Sequence, residues 1–130
     1  MENISDEIIE KLNNLNLINI NLNLCKKIVF MAIKSVENYI KCEINSFIDF
    51  SLIKEIFIDI AIGEYLTLIK NANLDENMKF ETAIKSISEG DVSITYSTET
   101  AETKEDRLNQ LIGYFLGKRS LLLNFKAIRW

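Results

Sequence analysis

The sequence predicts a mainly α fold: a small helical bundle with one protruding β-hairpin and a C-terminal helix and tail. Three observations lead to this prediction. Apolar residues make up 48% of the 130 residues, they recur at helical spacing through most of the chain, and the stretch KSISEGDVSITYS at 85–97 alternates as a strand does. A chain of this length forms one domain, so we expect a single unit over residues 1–130.

Two helices are predicted early in the chain, over residues 4–14 and 24–43, where apolar side chains recur every three or four positions. The first is expected to be capped by Ser5 or Asp6 and the second by Asn23, because short polar side chains of these types cap helices. The chain between the two helices is interpreted as a connector. Its alternation of apolar and Asn residues also fits a short edge strand.

A third helix is predicted from about residue 49 to residue 70 and is apolar on several sides. Such a helix is either central in the core or covered by a partner. We therefore expect Phe57 and Ile60 to be deeply buried. Gly63 lies inside this helix and is expected to mark a close helix crossing.

The strand-like stretch at about 84–97 is predicted to form the β-hairpin. Val92, Ile94 and Tyr96 alternate with polar residues, and Gly90 supplies the positive φ that a three-residue loop needs. A two-stranded hairpin is marginal alone, so its edge is expected to pair with another chain. The residues expected to contact a neighbouring subunit are Ile87, Gly90, Asp91, Val92, Ile94 and Tyr96.

A polar linker at about 97–106 is followed by a C-terminal helix and tail over 104–130. Residues 1–106 carry 10 basic and 19 acidic side chains, a net charge of −9, whereas 107–130 carry 5 basic and 0 acidic ones. The basic end is either a solvated helix face or a region that docks on an acidic surface. The residues assigned to such docking are Lys118, Arg119, Lys126, Arg129 and Trp130.

The composition argues against catalysis. The chain has no histidine, which is the commonest general base and metal ligand. Cys25 and Cys42 lack zinc-site spacing, and on one helix they would lie about 25 Å apart, too far for a disulfide. We therefore expect no enzymatic activity, no catalytic residue, no cofactor and no metal. Charged residues interrupt the most apolar segment, 47–69, so no membrane span is expected either.

Three stretches carry a resemblance to a known family. They read AIKSVENYIKC from Ala32, AIKSISEGDVSITYS from Ala83 and LLNFKAIRW from Leu122. They resemble the small head-tail connector (adaptor, or head-completion) proteins of tailed phages and defective prophages. The last stretch departs from the family pattern, since Lys126-Ala127 stands where a more basic pair is expected. The resemblance implies a ring of identical subunits, without catalytic activity, that joins the portal and head to the tail.

The resemblance also implies partners and a location. The partners are other copies of the chain, the portal, and tail-completion or tail-terminator proteins, in a virion or a phage tail-like particle assembled in the bacterial cytoplasm. In a headless contractile tail-like bacteriocin the same subunit would form a collar or tail cap, and the sequence leaves both settings open. The alternative is a small helical regulatory or nucleic-acid-binding protein of a phage-like element, since residues 107–130 carry +5. Because the rest of the chain is acidic, we expect at most weak, nonspecific DNA contact.

Overall fold

The computed structural model describes residues 2–18, 21–44, 50–74, 80–88 and 103–122. Within these ranges the chain is helical and contains no strand, which confirms the prediction of a mainly α fold. The helices, in chain order, are α1 (Glu2–Asn14), α2 (Leu22–Tyr39), α3 (Phe50–Asn71), α4 (Glu81–Ser88), α5 (Lys104–Leu116) and α6 (Arg119–Leu122). A π-helical turn, Ile40–Ile44, extends α2.

Helix α3 lies at the centre of the bundle and packs against α1, α2, α5 and α6. It can do so because apolar side chains occur on most of its sides, so each neighbour finds a surface to bury. Phe57 retains 2% and Ile60 0% of its accessible surface, which confirms the predicted core. The central position explains why this helix is apolar nearly all round.

Helices α3 and α5 cross closely at Gly63. A Cβ atom placed on Gly63 would lie 2.7 Å from Leu116 Cδ2 and 3.0 Å from the Leu116 backbone nitrogen. The first distance is shorter than real Cβ contacts and the second is at their tight limit, so any larger residue at Gly63 requires Leu116 to move. The prediction that Gly63 marks a close crossing is confirmed, and its partner is the C-terminal helix.

Two helix starts differ from the predictions. Helix α1 begins at Glu2, ahead of the predicted caps Ser5 and Asp6. Helix α2 is capped by Asn21, whose side-chain oxygen accepts a hydrogen bond of 2.7 Å from the Asn23 backbone N–H. Because this stretch contains several asparagines, residue type alone does not identify the cap. The cap is the asparagine at which the backbone enters the helix. The described part of the connector contains no strand, so the edge-strand alternative is not supported there.

Two ion pairs join α1 to α3. Lys11 Nζ lies 2.6 Å from Asp59 Oδ1, and Lys54 Nζ lies 2.8 Å from Glu7 Oε1. Because these side chains are partly exposed, each pair is expected to contribute about 0–1 kcal/mol. The buried apolar side of α1 therefore contributes most of the energy that holds this helix in place.

The predicted hairpin is wrong in its first part, because residues 84–88 belong to α4 and not to a strand. Four apolar residues at spacing i, i+3, i+4 and i+7 explain the helix, the first three buried and the last half-buried: Phe80, Ala83, Ile84 and Ile87. This spacing places all four on one side of a helix, whereas a strand would divide them between two faces. The rest of the predicted hairpin, 89–97, lies outside the described residues.

Helix α5 begins where the sequence predicted. Thr103 caps it: the Thr103 hydroxyl accepts from the Asp106 N–H over 3.0 Å, and the Asp106 carboxylate accepts from the Thr103 N–H over 3.3 Å. Residues 104–106 of the predicted linker are therefore helical, while 97–102 lie outside the described residues. The side chains predicted to point inward are buried or half-buried: Leu108, Leu111, Ile112 and Phe115.

Candidate interaction surface

Helix α2 presents four large apolar side chains to solvent: Leu22 and Leu24 in its first turn, and Phe30 and Met31 in its middle. Phe30 is 59% exposed and Met31 is 54% exposed, although both lie in the middle of a well-packed helix. The residues of α2 that are buried against the bundle lie on the other side of the helix: Cys25, Ile28, Val29, Ala32, Ile33 and Val36. Exposed apolar side chains that sit together on a helix face are typical of an interaction surface.

Lysine side chains surround this apolar pair. Lys26, Lys27 and Lys34 are all exposed and lie three or four residues from Phe30 or Met31, so they occupy the same side of the helix. We call these five residues the α2 outer face. From Lys26 to Lys34 the face extends about 12 Å along the helix, at about 1.5 Å per residue.

The α2 outer face is basic in an acidic chain. Helix α2 contains three lysines and one glutamate, a net charge of +2, whereas the whole chain carries −4. Lys34 Nζ lies 5.3 Å from the centre of the Phe30 ring and 3.6 Å from Glu37 Oε1. The cation over the ring keeps the aromatic and basic groups together, so one ligand can contact both at once.

The opposite side of α2 is held by a buried polar contact. Tyr65 of α3 donates its hydroxyl hydrogen to the Leu17 carbonyl over 3.2 Å, and the Cys25 thiol donates to the Tyr65 oxygen over 3.9 Å. This contact links α2, α3 and the connector inside the core. It lies on the same side of α2 as the buried side chains that pack the helix against the bundle.

Burial favours the neutral forms of the Cys25 thiol and the Tyr65 phenol. Burial raises the pKa of Cys25 above its ordinary value, and the hydrogen bond with Tyr65 opposes this only in part. The pKa of Tyr65 is raised by burial first, and then by the charge and hydrogen bond of Cys25. A buried thiol with a raised pKa is a poor nucleophile, so the arrangement is structural in character.

The residues predicted to contact a neighbouring subunit are only partly described. Ile87 lies in α4, half-buried against the core, so its side chain is used within the chain. The other five lie outside the described residues: Gly90, Asp91, Val92, Ile94 and Tyr96. Their part in assembly stays a prediction.

The two described residues of the predicted C-terminal docking set make contacts within the chain. Lys118 Nζ lies 4.7 Å from the centre of the Tyr114 ring. Arg119 forms an ion pair with Glu64 of α3 and lies 5.3 Å from the centre of the Tyr39 ring. These contacts attach α6 to α2 and α3. Lys126, Arg129 and Trp130 lie outside the described residues, and docking by this set stays a prediction.

Among the described residues, no group of three or more Cys, Asp or Glu side chains is placed to hold a metal ion. None of the helices within the described ranges is both long enough and apolar enough to cross a membrane.

The sequence carries a signal for the α2 outer face that helical periodicity alone does not reveal. The helical pattern of 24–43 assigns only polar residues to its outer side, yet Phe30 and Met31 fall on that side too. Two adjacent large apolar residues out of register with the buried positions are the signal. Such residues are easily passed over, because single exposed apolar residues are common on protein surfaces.

Comparisons with known proteins found no counterpart: no family model matches the chain, and neither a curated protein nor a solved structure does.

Proposed function

We propose that this protein is a structural subunit that assembles with copies of itself and acts as a ring-forming adaptor in a phage or prophage-derived particle. The observation that carries the proposal is the α2 outer face, where Phe30 and Met31 are more than half exposed on a helix whose other side is packed. Leaving such side chains in water forgoes the favourable free energy of burying them, and assembly recovers it. The expected activity is binding, with no catalysis.

The resemblance to head-tail connector proteins supports the setting. One of its three stretches, from Ala32 to Cys42, covers the second half of α2 and most of the π-helical turn. A subunit that offers one surface and accepts another forms heterologous contacts, and these close into a ring when the rotation allows. The proposed partners beyond the ring are a portal and tail-completion or tail-terminator proteins. In a headless particle the ring would be a collar or tail cap.

The mass of the protein in solution tests self-assembly. Light scattering after size exclusion, over a hundredfold range of concentration, should show a mass that rises from one chain to a multiple of it. The measured mass should increase with protein concentration, because association follows mass action. A mass of one chain at every concentration would contradict the proposal.

A pair of substitutions tests the predicted contact residues. Val92→Asp with Ile94→Asp should abolish assembly and leave the helical circular dichroism nearly intact, because buried charges without partners are costly at an interface. The matched control is Ser93→Asp with Thr95→Asp, which adds the same charge to neighbouring positions and should still assemble. A Val92/Ile94 variant that assembles normally, or one that unfolds, speaks against a role for these residues in assembly.

The competing proposal, a helical regulator that binds nucleic acid, is tested by the same preparation. For the adaptor we expect at most weak DNA binding, which decreases steeply with salt concentration and does not depend on the DNA sequence. Tight, sequence-selective binding at physiological salt, by a monomer or dimer, would favour the regulator.

A further inference from the structure

We infer that the α2 outer face receives residues 89–102 of a second copy of this chain. This inference rests on the proposed self-assembly and adds to it the pair of surfaces that meet. We call residues 89–102, EGDVSITYSTETAE, the acidic segment. It follows α4 directly in the chain.

Charge is the first property that matches. The acidic segment contains four acidic residues and no basic one, a net charge of −4, and two of the acids, Glu89 and Asp91, stand at its start. The α2 outer face contributes Lys26, Lys27 and Lys34. Opposite charges on two surfaces steer their encounter and fix their register. Contact between the acidic segment and the α2 outer face is therefore favoured over contact between two α2 outer faces or two acidic segments.

Apolar character is the second matching property. Val92, Ile94 and Tyr96 directly follow the first two acids of the segment, just as Phe30 and Met31 lie between lysines on α2. From Asp91 to Tyr96 a chain spans at most about 17 Å, and the α2 outer face is about 12 Å long. The acids and the apolar residues of the segment can therefore meet the lysines and the apolar pair together.

The acidic side of α1 is a weaker candidate. Its exposed acids are Asp6 and Glu10, and the other exposed residues described on α1 are Asn13 and Asn14. That surface offers charge for the lysines but no exposed apolar group to cover Phe30 and Met31. The acidic segment supplies both, which is why we choose it.

The test reverses charge on each side separately. One variant carries Lys27→Glu and Lys34→Glu on the α2 outer face, and the other carries Glu89→Lys and Asp91→Lys on the acidic segment. Each variant alone should need a protein concentration about tenfold or more higher to assemble, because like charges then face each other. The helical circular dichroism of both variants should equal that of the wild type, which checks that their helices remain folded.

Mixing the two variants makes the test specific. In the mixture the lysine-bearing acidic segment of one variant meets the glutamate-bearing α2 outer face of the other. At the second kind of contact, the unchanged acidic segment meets the unchanged α2 outer face. Assembly should therefore return to within about threefold of the wild-type concentration, because each contact again joins opposite charges. A single chain carrying all four substitutions should also assemble.

The matched control is Asp6→Lys with Glu10→Lys on α1, which changes net charge by the same amount as the segment variant and should assemble like the wild type. If the wild type assembles while the single-sided variants behave as it does, or if their mixture stays monomeric, this inference is overturned and the proposed function stands. A wild type that never assembles overturns the proposed function itself.

Discussion

Replacing Gly63 with alanine should destabilise the fold, although alanine is the better helix former. Alanine in a helix is favoured over glycine by about 0.5–1 kcal/mol. The new Cβ atom, however, would lie 2.7 Å from Leu116 Cδ2 and 3.0 Å from the Leu116 backbone nitrogen. Overpacking of this kind costs about 1–3 kcal/mol. Since a backbone atom cannot rotate away as a side chain can, we expect a net loss of about 1–2 kcal/mol.

Gly113 provides the matched control. It also lies inside a helix, in α5, but a Cβ atom placed there meets nothing within 4 Å. Gly113→Ala should therefore show only the helix preference and stabilise the fold by about 0.5–1 kcal/mol. The same chemical change is thus expected to have opposite signs at two positions.

Urea and thermal unfolding, followed by circular dichroism on dilute protein, measure both variants. A change of 1 kcal/mol should move the melting temperature by about 4 °C in a chain of this size. Leu116→Ala should cost less stability in Gly63→Ala than in the wild type, because it removes the side-chain atoms that crowd the new Cβ and leaves only the backbone nitrogen. If Gly63→Ala is as stable as Gly113→Ala, the close crossing of α3 and α5 is refuted.

Two further predictions concern the core. Phe57→Ala should lower the unfolding free energy by about 3–5 kcal/mol in urea titrations, while the exposed Phe30→Ala should stay within about 1 kcal/mol of wild type; equal losses would contradict the assigned burial. Stability should fall as pH rises above about 9, because the unfolded chain then loses protons from Cys25 and Tyr65 that the folded chain retains, their pKa values being raised by burial. Below that pH both groups are protonated in the folded and unfolded states, so they do not change the unfolding free energy. The loss of stability between pH 8 and pH 11 should be smaller in Tyr65→Phe than in the wild type. An equal loss in the two proteins, measured by unfolding curves at both pH values, would count against the buried contact.

Periodicity alone was enough to predict the main helices. The apolar spacing located the start of α2 within two residues and both ends of α3 within one, and the predicted end of α2 at residue 43 falls in the π-helical turn that extends it. It also identified Phe57 and Ile60 as core. A long helix carries many repeats of its pattern, so a single irregular residue changes little. The start of α5 was predicted as well, because the apolar pattern resumes right after a polar stretch.

The short stretch at 84–88 shows where local pattern was insufficient. Ile84 and Ile87 fit the end of a strand followed by a turn, but with Phe80 and Ala83 they form one side of a helix. The choice between the two depends on what the residues pack against. A stretch of this length has too few periods to decide for itself, so the core decides.

Only the tertiary structure decided which residues meet across the chain. That Leu116 is the residue opposite Gly63, and Glu64 the partner of Arg119, follows from how α5 and α6 dock on α3. The exposure of Phe30 and Met31 is of the same kind, because burial is a property of the neighbours as much as of the residue. A sequence determines the apolar faces of its helices; which of those faces are covered depends on contacts far apart in the chain, and those form only when the chain folds.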